Sequence, residues 1–87
     1  MIRIVHSDGF LRSAKRLPRS TREKLTRLLG ILGDNPFHPL LHTKKLGGEL
    51  AGLYSFRITR DWRVIFQFTG SETIRLLRVG DRKDVYA

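Results

Sequence analysis

Residues 53–80 constrain the fold more than any other stretch. Leu53–Ile58 and Trp62–Phe68 are rich in aromatic and β-branched side chains, and Thr73–Val79 adds a third β-prone run. Polar breaks at Thr59–Asp61 and Thr69–Glu72 separate them. Runs of this kind with short breaks read as three antiparallel strands joined by hairpins. With Thr59, Arg60 and Asp61 as a three-residue loop, Ile58 faces Trp62, and the pairing continues as Arg57–Arg63, Phe56–Val64, Ser55–Ile65 and Tyr54–Phe66. A slip of one residue would scramble both faces. Gly70-Ser71 suits a type II′ turn, which sets Phe68 opposite Thr73, Val64 opposite Leu77 and Arg63 opposite Arg78.

Two faces follow from that register. A core face carries Tyr54, Phe56, Ile58, Trp62, Val64, Phe66, Phe68, Leu77 and Val79, with Arg75 near its edge. The open face carries Ser55, Arg57, Arg63, Ile65, Gln67, Ile74, Leu76 and Arg78. Arg57, Arg63 and Arg78 then form a row across three strands. Like charges directly opposite one another destabilise a sheet, so an aligned row asks for a reason. A polyanion pocket is one, because the arginine fork fits phosphate oxygens. Arginines splayed into solvent, or paired with Glu49, Glu72 or Asp61, are the plainer alternative.

Upstream, Met1–Val5 reads as an opening strand. Ser7 or Asp8 can cap a first helix, on which Phe10, Ala14 and Leu17 recur at helical spacing until Pro18. Ser20-Thr21-Arg22-Glu23 matches a capping box, with Leu25, Leu28, Leu29 and Leu32 following as an apolar stripe. Gly33 and the Asp34-Asn35-Pro36 run end this second helix. Its outer face, with Arg22, Lys24 and Arg27, reads as solvated. The expectation is an α+β fold: one N-terminal strand, a two-helix hairpin, then three antiparallel strands. The helices pack on one face of a four-stranded, mostly antiparallel sheet. Phe37–Leu53 is a long connection with three glycines, His38, His42, Lys44 and Lys45, and loops of such length in small domains are often functional.

At 87 residues the chain is expected to form one domain, 1–87. Seventeen Lys and Arg against eight Asp and Glu leave a net charge of +9, spread along the whole chain. That favours nucleic acid, an acidic membrane surface or an acidic protein partner. Without cysteine there is neither a disulfide framework nor a thiolate metal site. No apolar run approaches the ~20 residues of a membrane span, and no signal-peptide pattern is present, so a cytoplasmic protein without membrane association is expected. No phosphate-binding glycine loop occurs. Pro39 keeps His38 and His42 from forming a helical metal pair, so neither a metal nor a small-molecule cofactor is expected. Ser55 has no triad signature around it.

Three segments taken together resemble the RelE/ParE superfamily of bacterial toxins. They are Lys45–Ile58, with its Lys-Leu-Gly-Gly-Glu-Leu-Ala-Gly-Leu opening, Asp61–Phe66, and Val79–Tyr86. The resemblance covers nearly the whole chain. It implies a small α+β toxin that cleaves mRNA on the ribosome and is held inactive by a cognate antitoxin. It implies a site on the open face of the sheet, with Arg57, Arg63, Arg82 and Tyr86 at catalytic positions. Some relatives carry lysine in place of Ser55, a carboxylate in place of Lys44, or histidine near Asp81-Arg82, so this resemblance assigns no general base. RNA cleavage without metal needs a base for the 2′-OH, charge stabilisation at phosphorus and an acid for the 5′-oxygen. Arginine suits the second role and is a poor base. Tyr86 reads as an acid or base, as a platform for a nucleobase, or as a cover for the core. Histidine is suited to proton transfer, and His42, Lys44 and Lys45 lead into the sheet. With Arg60 and Arg78 they are the expected RNA-binding residues. An acidic or amphipathic antitoxin segment, the ribosome and mRNA are the expected partners. A non-enzymatic ParE-like gyrase inhibitor and a plain nucleic-acid-binding module are the alternatives.

Overall fold

The computed structural model describes residues 1–86. Arg3–His6 forms β1, one or two residues later than the opening run suggested. Ser7 caps α1, Asp8–Ala14, by accepting the Phe10 N–H on its Oγ at 3.0 Å. α2, Arg19–Asp34, points Leu25, Leu28 and Leu32 inward. Its capping box does not form. Pro18, with φ −56° and ψ 150°, delivers the chain straight into the helix, so Ser20 lies inside the first turn rather than ahead of it. Glu23 turns instead to Arg19, 3.3 Å away.

β2 is Lys44–Lys45, β3 Tyr54–Arg57, β4 Trp62–Gly70 and β5 Thr73–Asp81. The sheet order is β1-β5-β4-β3-β2, with β1 parallel to β5 and every other pair antiparallel. The architecture is α+β with both helices on one face, but the sheet has five strands, not four. The long connection supplies the extra one. A short 3-10 turn at Gly48–Leu50 and a left-handed Gly52 (φ 92°) reverse the chain, and the Leu46 N–H then reaches the Leu53 carbonyl at 2.9 Å. Lys44 pairs with Ser55 and Lys45 with Tyr54.

The β3–β4 register is the expected one, with Tyr54–Phe66, Ser55–Ile65, Phe56–Val64 and Arg57–Arg63 as partners. The β4–β5 register is not. Phe68 faces Ile74, Phe66 faces Leu76, Ile65 faces Arg78, Val64 faces Val79 and Arg63 faces Gly80. The turn sits at Ser71-Glu72, and the register shifts twice, between Phe68 and Gly70 and between Ile65 and Phe66. Thr69 in β4 and Leu77 in β5 are the extra residues of two bulges. The bulges turn Ile74 and Leu76 into the core and Arg75 onto the open face, the reverse of strict alternation from a two-residue turn. Burial explains the outcome: two large aliphatic residues gain cover and one guanidinium avoids it.

The core joins Phe10, Leu17, Leu25, Leu28 and Leu32 to Phe56, Ile58, Val64, Phe66, Ile74, Leu76 and Val79. α1 also closes the part of β5 that outruns β1. Ser7 Oγ donates to the Leu77 carbonyl at 3.0 Å, and Ser13 Oγ accepts the Val79 N–H at 3.0 Å. Gly9 permits this approach, since a Cβ there would lie 3.1 Å from the Leu77 carbonyl oxygen.

Candidate functional site

The face of the sheet away from the helices carries Arg57, Arg63, Arg75 and Arg78. Arg57 and Arg63 are cross-strand partners. The Ile58 N–H bonds the Trp62 carbonyl at 2.9 Å, which makes Arg57–Arg63 the adjacent non-hydrogen-bonded pair, where side chains approach most closely. The three-arginine row is broken at β5. Gly80 stands opposite Arg63, and Arg78 lies beside Ile65 and Ser55, because the turn sits one residue later than Gly70-Ser71 and the two bulges cancel before Arg78 is reached.

Each arginine has its own constraint. Arg63 Nη1 donates to the carbonyls of Thr59 and Arg60, both at 2.8 Å, so one arm of the guanidinium braces the β3–β4 loop. Arg57 is exposed and has no ion pair among the described residues. Arg82 is fastened to the same loop: its backbone N–H donates to the Asp61 carbonyl at 2.8 Å, and its Nε lies 3.9 Å from Asp61 Oδ1. Among the described residues Glu49 and Glu72 form no ion pair, and Asp61 turns to Arg82 rather than to the row.

The chain past β5 folds back over the open face. Asp81 organises the turn through its carbonyl, which accepts the Asp84 and Val85 N–H groups, and through Oδ1, which accepts the Lys83 N–H at 2.8 Å. Val85 is buried against Gly80, where a Cβ would lie 3.4 Å from the valine. Arg78 Nε donates to the Val85 carbonyl at 2.7 Å, and the Tyr86 hydroxyl donates to Ser55 Oγ at 3.3 Å. The returning tail leaves Ser55 2% and Ile65 0% exposed on a face that alternation marks as open.

Arg57, Arg63, Arg78, Arg82 and Tyr86 thus lie around one surface, and Lys44 joins them as the β2 partner of Ser55. Three expected residues stand apart. Lys45 pairs with Tyr54 and so lies on the other face. Arg60 is exposed in the loop and contributes its carbonyl to Arg63. His42 ends the 3-10 turn Pro39–Leu41 in a left-handed conformation (φ 49°), exposed. Sequence reading missed Ser55 as the partner of Tyr86, and Val85 as the anchor of the tail. The one available signal was an aliphatic residue in an otherwise polar terminal segment. No helix among the described residues is long and apolar enough to cross a membrane.

Residues 4–86 match the family described as the ParE toxin of type II toxin–antitoxin system, parDE. The chain is 32% identical over 60 residues to toxin YoeB of Mycobacterium bovis, which spans 69% of either chain. In structure it is similar to YafQ from E. coli, with TM-score 0.81 at 21% identity over 100% of both chains. It is also similar to a chain of a toxin–antitoxin complex from Mycobacterium tuberculosis, with TM-score 0.78 at 24% identity over 93% of this chain and 98% of the other. At those identities the structural likeness is one of fold. The family match and the YoeB relative reach further, and they turn the resemblance of the glycine-rich segment and of Val79–Tyr86 into membership: the chain belongs to the ParE toxin family of type II toxin–antitoxin systems, within the RelE/ParE superfamily.

Proposed function

We propose that this toxin is a metal-independent endoribonuclease that cleaves mRNA on the ribosome, at the open face of the sheet. The observation that carries the reading is the seating of Tyr86. A tyrosine hydroxyl is held on Ser55 by a tail that Arg78 secures, on the face where Arg57 and Arg63 stand side by side. In the reaction the ribose 2′-oxygen attacks phosphorus, the P–O5′ bond breaks, and a 2′,3′-cyclic phosphate and a 5′-hydroxyl result. The 2′-proton leaves to a base and O5′ gains a proton. Arg57 and the free arm of Arg63 meet the charge that builds on the phosphoryl oxygens. Tyr86 exchanges a proton, Lys44 and Arg82 hold the flanking phosphates, and Arg78 holds the tail that seats Tyr86. Among the described residues no side chain on this face is an evident second proton carrier, so free RNA is cut slowly. The ribosome supplies orientation of the 2′-OH, an effect worth several kcal/mol.

The regulating partner in this reading is an antitoxin whose acidic or amphipathic segment neutralises the arginine face. A translation reaction with primer extension on the message tests the proposal. Cuts that disappear when the antitoxin is added support it. An intact message, with loss of supercoiling in a parallel gyrase assay, would move the function to ParE-like gyrase inhibition.

A further inference from the structure

A second concentration of arginine lies outside the open face. β1 pairs with β5 only as far as Leu76, and α1 covers the edge beyond. Two adjoining clefts, of about 310 and 410 Å³, follow this seam. Ser13, Arg16 and Arg78 line both; Arg12 lines one and Trp62 the other. Arg12 stands in the last turn of α1 and Arg16 in the turn after it. Like charges four residues apart oppose each other, and neither forms an ion pair among the described residues. Ser13 Oγ is already committed to the Val79 N–H and to carbonyls of its own helix, so in the cleft lined by Arg12 the polar side-chain capacity rests on the guanidinium groups. Trp62 presents an aromatic surface to the cleft, on the face of the sheet opposite Arg63.

Cations beside an aromatic surface are what a single-stranded polynucleotide uses: phosphates on the arginines, a base on the ring. Asp81 and Asp84 also line the Trp62 cleft. They would repel an acidic peptide, whereas base amino groups can donate to carboxylates. We propose that the α1–β5 seam is a second polynucleotide site, which seats single-stranded RNA with its phosphates on Arg12 and Arg16 and a base against Trp62. It lies round the edge of the sheet, adjoins the open face at Arg78 and does not depend on cleavage there.

Trp62 is the one tryptophan of the chain, so the fluorescence comes from the seam. The full-length toxin is titrated with a 12-nucleotide single-stranded RNA, without ribosomes, and both tryptophan fluorescence and RNA anisotropy are followed across a range of salt. Saturable quenching is expected. Arg12→Gln with Arg16→Gln should weaken binding about tenfold. It should also flatten the log–log salt dependence by about 1.4, at roughly 0.7 for each phosphate left without its arginine. Lys24→Gln with Arg27→Gln removes the same charge from the exposed face of α2 and should change affinity less than about twofold, because a solvated face adds only to the general field. All four positions are exposed, and unchanged melting verifies that the variants fold. Anisotropy that rises without quenching would overturn the proposal. So would equal losses in the two double variants, or a seam variant that binds RNA like the parent but no longer binds the antitoxin. Because no cleavage is read, failure here leaves the open-face reading where it stood.

Discussion

Arg63 and Arg57 are cross-strand partners of like charge, yet the structure uses them differently. Arg63 spends one arm on the carbonyls of Thr59 and Arg60, 2.8 Å away, while Arg57 is exposed. The strand pair therefore tolerates the juxtaposition because one member also braces the loop that joins the strands.

Substitution of the pair should separate activity from stability. Arg57→Ala relieves a like-charge contact, so its Tm should equal or exceed the parent's. Cleavage should fall by roughly 10²–10³, the usual cost of one charge-stabilising contact. Arg63→Ala should lose similar activity and also about 1–2 kcal/mol from the two loop hydrogen bonds. At about 4–8 °C per kcal/mol in a domain of this size, that is visible in a melt. Calorimetry beside primer extension checks both, and an Arg63→Ala variant as stable as the parent would show that the loop does not need the brace.

Arg78 acts through the tail. Its Nε bond to the Val85 carbonyl is a charge-assisted contact one residue before Tyr86. Arg78→Ala should loosen residues 82–86, so the Val85 amide, bonded to the Asp81 carbonyl, exchanges with deuterium faster. Cleavage should fall by up to about 10²-fold through misplacement of Tyr86. Arg78→Lys should restore part of both. Lost activity with unchanged exchange would instead place Arg78 directly on the RNA.

Tyr86 and Ser55 can be told apart by what each removal leaves behind. Tyr86→Phe keeps the ring and deletes the proton; a proton-transfer role predicts a loss of roughly 10²–10⁴. Ser55→Ala deletes the partner but leaves the tyrosine hydroxyl partly exposed, where water can replace the serine. It should cost much less activity and little stability. If Tyr86→Phe cleaves like the parent, the ring acts as a stacking platform or as cover, and not through its proton.

Ser13→Ala tests the docking of α1. Alanine gains about 0.5 kcal/mol of helix propensity. The Val79 N–H, in a residue 4% exposed, then loses its acceptor, at about 1–3 kcal/mol. The hydrogen bond should win, and urea denaturation should read a net loss. A stabilised variant would mean that water enters the seam and takes the bond.

The sequence alone determined what local rules control. Ser7 caps α1 because its oxygen is one turn from an unbonded N–H, and the leucines of α2 share one face because helix geometry puts them there. The three-residue loop at Thr59–Asp61 sets the register of β3 on β4, and Arg57 therefore meets Arg63. Tertiary structure decided the rest. Two bulges follow from a competition, between Ile74 and Leu76 on one side and Arg75 on the other, for cover that only the assembled helices provide. The capping box yielded to the entry angle set by Pro18. Lys44 and Lys45 became a strand only because Gly52 turned the chain back beside β3. Tyr86 meets Ser55, thirty-one positions earlier in the chain, because Val85 finds a buried place on Gly80 and Arg78 reaches its carbonyl. That contact joins residues too distant in sequence for any periodicity or spacing to pair, and it depends on burial that exists only once the sheet has formed.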